Sequence, residues 1–365
     1  MTTETDFLHA CIERIARLQS GGDRHFPAGL FPSFRGNALY GYHRPDANLF
    51  FTTITLFTLQ TVAEQLPEAD RQTVARMNRK ARQAYPLFRN RDGLDTYNFY
   101  QTKPSQHFPH GRLLHRLDHF RLPDDVDDTA MVYLTTEPTG GQLHFLAEKL
   151  KLHANGATRR IRNTYPDYRD LRAYSTWFGK NMYVEFDACV LSNLLYCLCY
   201  FKLPFNQHDL DSLAFIRSVV ETGRYRREPF RCAHSYPRTP LILYHVARLL
   251  GTFAPEPLEG IRATLVRDGL SLLDENLPAM DRLLVSTALL RLGERPGPID
   301  VQAIGSEEIR AFSFFIAGML TAYEHPLLYR LADSSLVRMN WTCEAHALAL
   351  LVEYLVLKVE RNYIS

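Results

Sequence analysis

The sequence predicts an all-α fold, and within that class a single α/α toroid of about six antiparallel helix hairpins with long loops at one mouth. Apolar segments of roughly 12–20 residues recur along the chain, separated by loops that hold most of the 20 prolines and 19 glycines. Very short connections, such as Leu66–Glu68 and Leu203–Phe205, favour antiparallel pairing of successive segments. One helix of each pair is apolar on most faces and the next carries a charged stripe, which is typical of inner helices alternating with outer helices around a ring.

Each helix in this prediction rests on an apolar run with helical spacing, bounded by Pro, Gly or polar clusters. No linker, low-complexity tract or charge run divides the sequence, so residues 1–365 are predicted to form one domain. The connections Pro86–Leu122 and Ala154–Met182 are expected to form the long loops at the mouth. The predicted helices are Phe7–Gln19, Ala47–Gln65, Ala69–Tyr85, Asp127–Thr135, Gln142–His153, Tyr183–Lys202, Gln207–Glu221, Thr239–Leu250, Pro257–Leu273, Arg282–Leu292, Glu308–Tyr323 and Cys343–Arg361.

The composition is that of an ordinary soluble protein. Apolar residues make up 46% of the chain and charged residues 22%, which excludes a disordered or fibrous class. Lys and Arg number 42 against 40 Asp and Glu, so a nucleic-acid partner is not expected. No run of roughly 18–20 apolar residues or signal-peptide pattern is present, and the six cysteines are scattered. These features predict no transmembrane segment, reduced thiols and a cytoplasmic location.

The most informative segment is the acidic cluster Asp124–Asp128, which precedes the apolar run Ala130–Leu134. Pro123 suits the first turn of a helix, so four aspartates are predicted at a helix N-terminus. The helix dipole and unpaired N–H groups stabilise carboxylates there, so one interpretation is a solvated N-cap. The other interpretation is a general acid, because crowded carboxylates cannot all ionise cheaply and one of them keeps its proton.

The string Asp125-Val-Asp127-Asp128-Thr129-Ala130 resembles the DxDDTA motif of class II terpene cyclases, which include the squalene-hopene cyclases. The resemblance implies an isomerase of isoprenoid biosynthesis, built on a ring of paired helices, that protonates an alkene of a polyprenyl substrate. It implies that Asp127 is the general acid and that Asp125 and Asp128 tune and orient it. It also implies that the chemical step needs no cofactor, with Mg²⁺ expected only where the substrate carries a diphosphate. A second cyclase domain is not expected, and the cavity of a lone ring is open, closed by its own loops, or closed by a second copy or another partner.

Such chemistry requires a dry pocket with walls that stabilise positive charge, a task suited to aromatic faces. Tyr97, Trp177, Tyr183 and Tyr236, on predicted loops or at helix starts, are therefore expected to bind substrate, and Phe99, Tyr100 and Phe178 lie nearby in the sequence. Asn193 is an amide within an apolar helix, where it either bridges neighbouring helices or lines the pocket beside Asp187. By analogy with the fold, the segment His234-Ser-Tyr236 is expected to supply the hydrogen bond that orients Asp127. The predicted substrate-binding set is Tyr97, Trp177, Tyr183, Asn193, His234 and Tyr236.

Three patterns suggest metal chemistry, although no metal site is predicted. Asp124–Asp128 also matches the DDxxD of class I terpene synthases, in which carboxylates bind Mg²⁺ on a diphosphate. Asp187 and Cys189, with His234 or His245, are similar to the zinc ligands of protein prenyltransferase β subunits, although a packed free cysteine explains Cys189 as well. The third pattern is a histidine cluster that also suits an amphipathic surface, made of His107, His110, His115 and His119.

Two further function classes stay open. One is an (α/α)₆ carbohydrate-active enzyme, in which two aspartates act as acid and base about 5–9.5 Å apart. The other is a non-catalytic toroid that holds a lipid or a partner, with the aspartates merely capping a helix. A basic loop is interpreted as a solvated face, or as a diphosphate site where the substrate carries that group; it contains Arg159, Arg160, Arg162, Arg169 and Arg172. Burial of Asp127 in an aromatic cavity would favour the cyclase, and exposure to solvent the cap.

Overall fold

The computed structural model describes residues 4–105, 122–179, 182–317, 321 and 324–362. The described strands are β1 (Phe34–Asn37), β2 (Tyr42–Pro45), β3 (Ser313–Ala317) and β4 (Met339–Thr342). The described helices are α1 (Glu4–Leu18), α2 (Phe50–Gln60), α3 (Glu68–Arg82), α4 (Val126–Leu134), α5 (Gly140–Leu152), α6 (Ala188–Tyr200), α7 (Gln207–Glu221), α8 (Arg224–Arg227), α9 (Pro229–Cys232), α10 (Thr239–Phe253), α11 (Glu256–Glu259), α12 (Arg262–Leu273), α13 (Ala279–Leu292), α14 (Ser306–Ala311), α15 (Pro326–Leu331) and α16 (Glu344–Asn362).

Six of these helices form the centre of the molecule. Each contacts the next in a closed cycle, in the order α2, α4, α6, α10, α13, α16 and back to α2. They are largely buried: every residue of α4 is buried, as are the first eleven residues of α6. Helices α1, α3, α7 and α12 pack outside this cycle and carry more charge. The hydrophobic core is therefore continuous around the six inner helices.

The prediction of an all-α toroid is wrong, because the chain also forms an antiparallel sheet in the order β2-β1-β4-β3. Helices account for 56% of the residues, so the fold is mixed. The predicted helix Glu308–Tyr323 is replaced by the short α14 and then β3. The segment from Ser313 to Ala317 is a short apolar run rich in Phe and Ile, a pattern that helices and strands share. Its partners are distant: β3 pairs with β4, which pairs with β1 near the other end of the chain.

A buried ion pair at the end of β2 connects this sheet to the loop that holds Tyr100. The guanidinium of Arg35 lies 2.8 Å from Asp46, and both side chains are buried. The same carboxylate accepts hydrogen bonds from Tyr100 Oη at 3.1 Å and from Trp341 Nε1 at 2.7 Å. Because a buried carboxylate is costly unless it is fully hydrogen-bonded, Asp46 fixes the strand β4 against the loop that holds Tyr100.

Other elements follow the predicted pattern with shifted ends. The predicted helix Pro257–Leu273 is divided between α11 and α12. The six cysteines are all free. None of the helices within the described residues combines the length and the hydropathy that crossing a membrane requires.

Candidate active site

A cavity of about 300 Å³ lies at one end of the inner helices. Its walls are mostly aromatic and apolar. The loops contribute Phe99, Tyr100, Trp177, Tyr183 and Tyr236, while α2 and the sheet add Phe50, Phe315 and Trp341. Phe315 and Trp341 stack with ring centroids 5.4 Å apart, which makes a flat aromatic wall. The sheet, absent from the sequence prediction, thus supplies part of the pocket.

Three of the four clustered aspartates line this cavity: Asp125, Asp127 and Asp128. They come from the start of α4, which begins one residue before the predicted start. Asp125 has extended backbone angles and its side chain accepts the N–H of Asp128 at 2.7 Å, so it is the N-cap. The backbone of Asp125 also pairs with Tyr97, and that of Val126 with Thr176, so the helix start is fixed on both sides. The cap is buried, which excludes the solvated N-cap as its interpretation.

Asp127 is bound at both carboxyl oxygens. Asn193 Nδ2 donates to Oδ1 at 2.7 Å and Tyr236 Oη donates to Oδ2 at 2.5 Å. Behind Asn193 lies Arg248, whose guanidinium donates to Asn193 Oδ1 and is 1% exposed. Arg248 also packs over the ring of Phe57, at 4.7 Å from its centroid. The acid is therefore held by α6, α10 and the loop before α10.

Burial raises the pKa of Asp127, while the hydrogen bonds from Tyr236 and Asn193 and the charge of Arg248 oppose that rise. Desolvation thus favours the protonated carboxyl, while three partners stabilise its conjugate base. This combination suits a general acid, because burial favours holding the proton and the charge left after transfer is accommodated.

Asp125 and Asp128 form a second acidic pair beside Asp127. Burial raises the pKa of Asp125 to about 7 despite the hydrogen bonds from Asp128. Burial, together with the neighbouring carboxylates, holds the pKa of Asp128 well above its ordinary value. Within the described chain, Asp128 Oδ1 has no hydrogen-bond partner. We infer that Asp128 is protonated and that its hydroxyl donates a hydrogen bond to Asp125, since two such close carboxylates cannot both ionise cheaply.

The structure places the predicted substrate-binding residues in three groups. Trp177, Tyr183, His234 and Tyr236 line the cavity. Tyr97 is not among the lining residues; its carbonyl accepts the N–H of Asp125 at 3.1 Å, and its own N–H donates to Thr129 Oγ1 at 3.0 Å. Asn193 bridges α4 to α10, which fits its interpretation as a bridge between helices, and it is not among the residues that line the cavity. The bond that orients Asp127 comes from Tyr236 of the predicted segment, whereas His234 bonds to Tyr329.

Several residues of the site had not been predicted. Arg248 could have been identified from the sequence, because it is the one charged side chain within the apolar helix Thr239–Phe253. Glu185 lay in a predicted helix, and no sequence pattern around it indicated a place in the site. Phe50, Phe315 and Trp341 reach the cavity only through long-range packing. A local motif carries no information about such partners.

Asp124 and Asp187, which the metal-based alternatives require, make other contacts. Asp124 accepts Thr96 Oγ1 at 2.6 Å and Asn98 Nδ2 at 3.3 Å, and it lines a separate polar pocket. Asp187 caps α6 by accepting the N–H groups of Cys189 and Val190. In the part of the chain that the structure describes, no group of three or more His, Cys, Asp or Glu side chains is placed to hold a metal ion.

The sequence also predicted two clusters, a basic loop and a group of histidines. Arg160 and Arg162 pair with Asp170 and Glu324 on the exposed surface. The cluster His107, His110, His115 and His119 lies outside the described residues.

The chain matches no protein-family model, no curated protein and no solved structure at a significant level.

Proposed function

We propose that this protein is a class II terpene cyclase-like enzyme, in which Asp127 protonates an alkene of an isoprenoid and starts its cyclisation. The observation that carries the proposal is the burial of three carboxyl groups on the wall of an aromatic cavity. Such groups are costly to bury, and perturbed carboxyls in an apolar pocket are typical of catalytic acids.

The step uses the atoms of Asp127 directly. Each carboxyl oxygen of Asp127 has a second lone pair beyond the one that accepts Asn193 or Tyr236, so there is room for the acidic proton. When the proton moves to the alkene, a C–H bond forms from the π electrons and the neighbouring carbon becomes a cation. The carboxylate that remains keeps its two hydrogen bonds and the nearby charge of Arg248.

The cavity walls suit the cation that this step creates. Aromatic faces attract positive charge without forming a covalent bond to it, and a largely apolar wall limits capture by water. Among the described lining residues there is no Lys or Arg. A diphosphate leaving group in the cavity would need such cations or a metal ion bound by the carboxylates. The volume lies at the lower end of small-molecule pockets.

The test is incubation of the purified protein with farnesyl and geranylgeranyl diphosphates, squalene and a prenylated phenol, followed by mass spectrometry. We expect a new isomer of unchanged mass that is lost in Asp127→Asn. The matched control is Asp268→Asn. Asp268 is also buried and accepts a hydrogen bond from Tyr225 Oη at 2.8 Å, and it does not line the cavity. Full turnover in Asp127→Asn would remove the role of Asp127, and Mg²⁺-dependent release of diphosphate would indicate class I chemistry.

A further inference from the structure

Besides the aspartates of α4, a further buried carboxyl group lines the cavity, that of Glu185. Its side chain is 3% exposed. The backbone N–H of Glu185 donates to Ser175 Oγ at 3.2 Å, and its carbonyl accepts the N–H of Thr176 at 3.0 Å. Because both backbone groups are bonded to the neighbouring segment, the side chain is the part of Glu185 that faces the cavity.

The carboxyl group of Glu185 has more acceptor positions than the described residues fill. His234 Nδ1 lies 3.4 Å from Oε2, but this fully buried nitrogen forms no hydrogen bond within the described chain. Tyr183 is also close, since burial and the Glu185 carboxyl together hold the pKa of its hydroxyl well above the ordinary value. That hydroxyl is hydrogen-bonded to Thr321 Oγ1 at 3.1 Å. A carboxyl group offers about four acceptor positions, and buried polar groups are almost always hydrogen-bonded, so a donor within the cavity is expected.

A hydroxyl group is the substrate head group that fits this position. It donates one hydrogen bond, which Glu185 can accept, and it accepts others, which Tyr183 can donate. A diphosphate presents acceptor oxygens and negative charge, so it would need a cation between it and Glu185, and the described lining residues include no Lys or Arg. A hydrocarbon would leave the buried carboxyl without its donor, which is unfavourable.

Glu185 and the proton donor lie at different points of the same cavity. Val126 N–H donates to Thr176 O at 2.9 Å, and Thr176 N–H donates to Glu185 O at 3.0 Å, so three extended segments lie side by side. Neighbouring extended segments are about 4.8 Å apart, so the backbone of Glu185 lies roughly 10 Å from the start of α4. An isoprenoid carries its head group at one end and alkenes along its chain, so a single molecule can contact both Glu185 and Asp127.

We propose that Glu185 binds the head group of the substrate, and that the substrate is an isoprenoid with a free hydroxyl, either an alcohol or a phenol. This inference rests on the proposed function, since it assigns the substrate class of the same cavity. The hydroxyl donates a hydrogen bond to Glu185 while an alkene of the chain lies at Asp127. Glu185 thus selects and orients the substrate, and Asp127 transfers the proton.

The first arm of the test measures binding and needs no turnover. Both tryptophans of the chain, Trp177 and Trp341, line the cavity, so the tryptophan emission of the full-length protein reports whether the cavity is occupied. The probes are farnesol and its methyl ether, which share the chain and the oxygen but differ in the hydroxyl proton. We expect farnesol to bind about tenfold more tightly, as one hydrogen bond to a buried carboxyl group predicts.

Variants at Glu185 assign this preference to its carboxyl group. Glu185→Leu removes every acceptor and should bring farnesol and the ether to similar affinities, whereas Glu185→Gln keeps one acceptor oxygen and should retain part of the preference. The control Asp268→Asn, at a buried position that does not line the cavity, should leave the preference unchanged. Equal affinities in the wild type, or an undiminished preference in Glu185→Leu, would overturn the proposal. The wild-type comparison decides even where Glu185→Leu does not fold.

The second arm measures turnover and separates this inference from the cyclase itself. With farnesol as substrate, Glu185→Leu should raise KM about tenfold and change kcat less, because it removes binding that the substrate and the transition state share. An isomer formed from farnesyl diphosphate but not from farnesol would overturn the hydroxyl subsite and leave the cyclase standing. A Glu185-dependent preference for farnesol without an isomer from any substrate would refute the cyclase and support the subsite.

Discussion

Replacing Tyr236 by Phe tests how the acid is tuned. The substitution removes the hydroxyl that donates to Asp127 Oδ2 at 2.5 Å and keeps the ring, which packs against His245 with centroids 4.8 Å apart. The lost bond is one of the contacts that lower the pKa of Asp127, while the burial that raises it stays. The pKa of Asp127 therefore rises in the variant. Since the acid must be protonated to act, the alkaline limb of the rate profile moves to higher pH.

The size of the effect follows from the energy of the hydrogen bond. A bond to a charged acceptor contributes about 1.5–3 kcal/mol. Since about 1.4 kcal/mol corresponds to a factor of ten, the acid dissociation constant of Asp127 should fall by roughly 10- to 150-fold. If half of the charge has developed in the transition state, the rate of proton transfer falls by the square root of that factor, about 3- to 12-fold.

The assay is kcat against pH for the wild type, Tyr236→Phe and a matched control. Tyr225→Phe is that control, because Tyr225 is also fully buried and its hydroxyl also donates to a carboxylate, Asp268, at 2.8 Å. Thermal unfolding of both variants checks that they lose similar stability. The reasoning is refuted if the alkaline limb of Tyr236→Phe coincides with that of Tyr225→Phe.

Three other predictions follow from the same structure. Folding raises the pKa of Asp128 and of its partner Asp125, the latter to about 7. The free energy of unfolding should therefore fall as the pH rises from about 4 through 7, because the unfolded chain loses these protons more readily. Asp128→Asn should flatten this fall, as measured by urea titration at several pH values. Arg248→Met should move the alkaline limb of the rate profile to higher pH, as Tyr236→Phe does, because it removes a positive charge that lowers the pKa of Asp127. An unmoved limb would contradict this. Gly251→Ala should destabilise the protein by about 1–3 kcal/mol, since an added Cβ would lie 2.4 Å from a backbone oxygen of α13, whereas the Cβ added in Gly140→Ala meets nothing within 4 Å and should not, as thermal unfolding will show.

The acidic helix start could be predicted because its signals are local. Pro123, the four aspartates and the following apolar run all lie within a dozen residues, and α4 begins one residue before the predicted start. Most other helices were also found from periodicity, with ends displaced by a few residues; Gln207–Glu221 was predicted at its observed bounds. Periodicity reports burial of one helix face, which is a property of neighbouring residues and needs no knowledge of distant partners.

The sheet could not be predicted for the opposite reason. The strand Ser313–Ala317 is stabilised by Met339–Thr342, and that strand by Phe34–Asn37, some 300 residues earlier in the sequence. None of these segments has a turn signal that joins it to its partner, apart from the short connection between Phe34–Asn37 and Tyr42–Pro45. The cavity residues Phe315 and Trp341 were missed with the strands that carry them.

The division of the site between helices and sheet bears on how its chemistry is held in place. Asp127 on α4 and two of the polar groups that hold it, Asn193 on α6 and Arg248 on α10, stand on neighbouring inner helices, and Tyr236 donates from the loop before α10. Rigid helices packed side by side keep these groups at hydrogen-bonding distance, as an acid stabilised by fixed dipoles requires. The apolar wall comes in part from strands and loops, and its apolar side chains do not have to hold such distances. Substitutions at Phe315 or Trp341 should therefore change which product forms more than how fast protonation occurs, whereas substitutions at Asn193 should do the reverse.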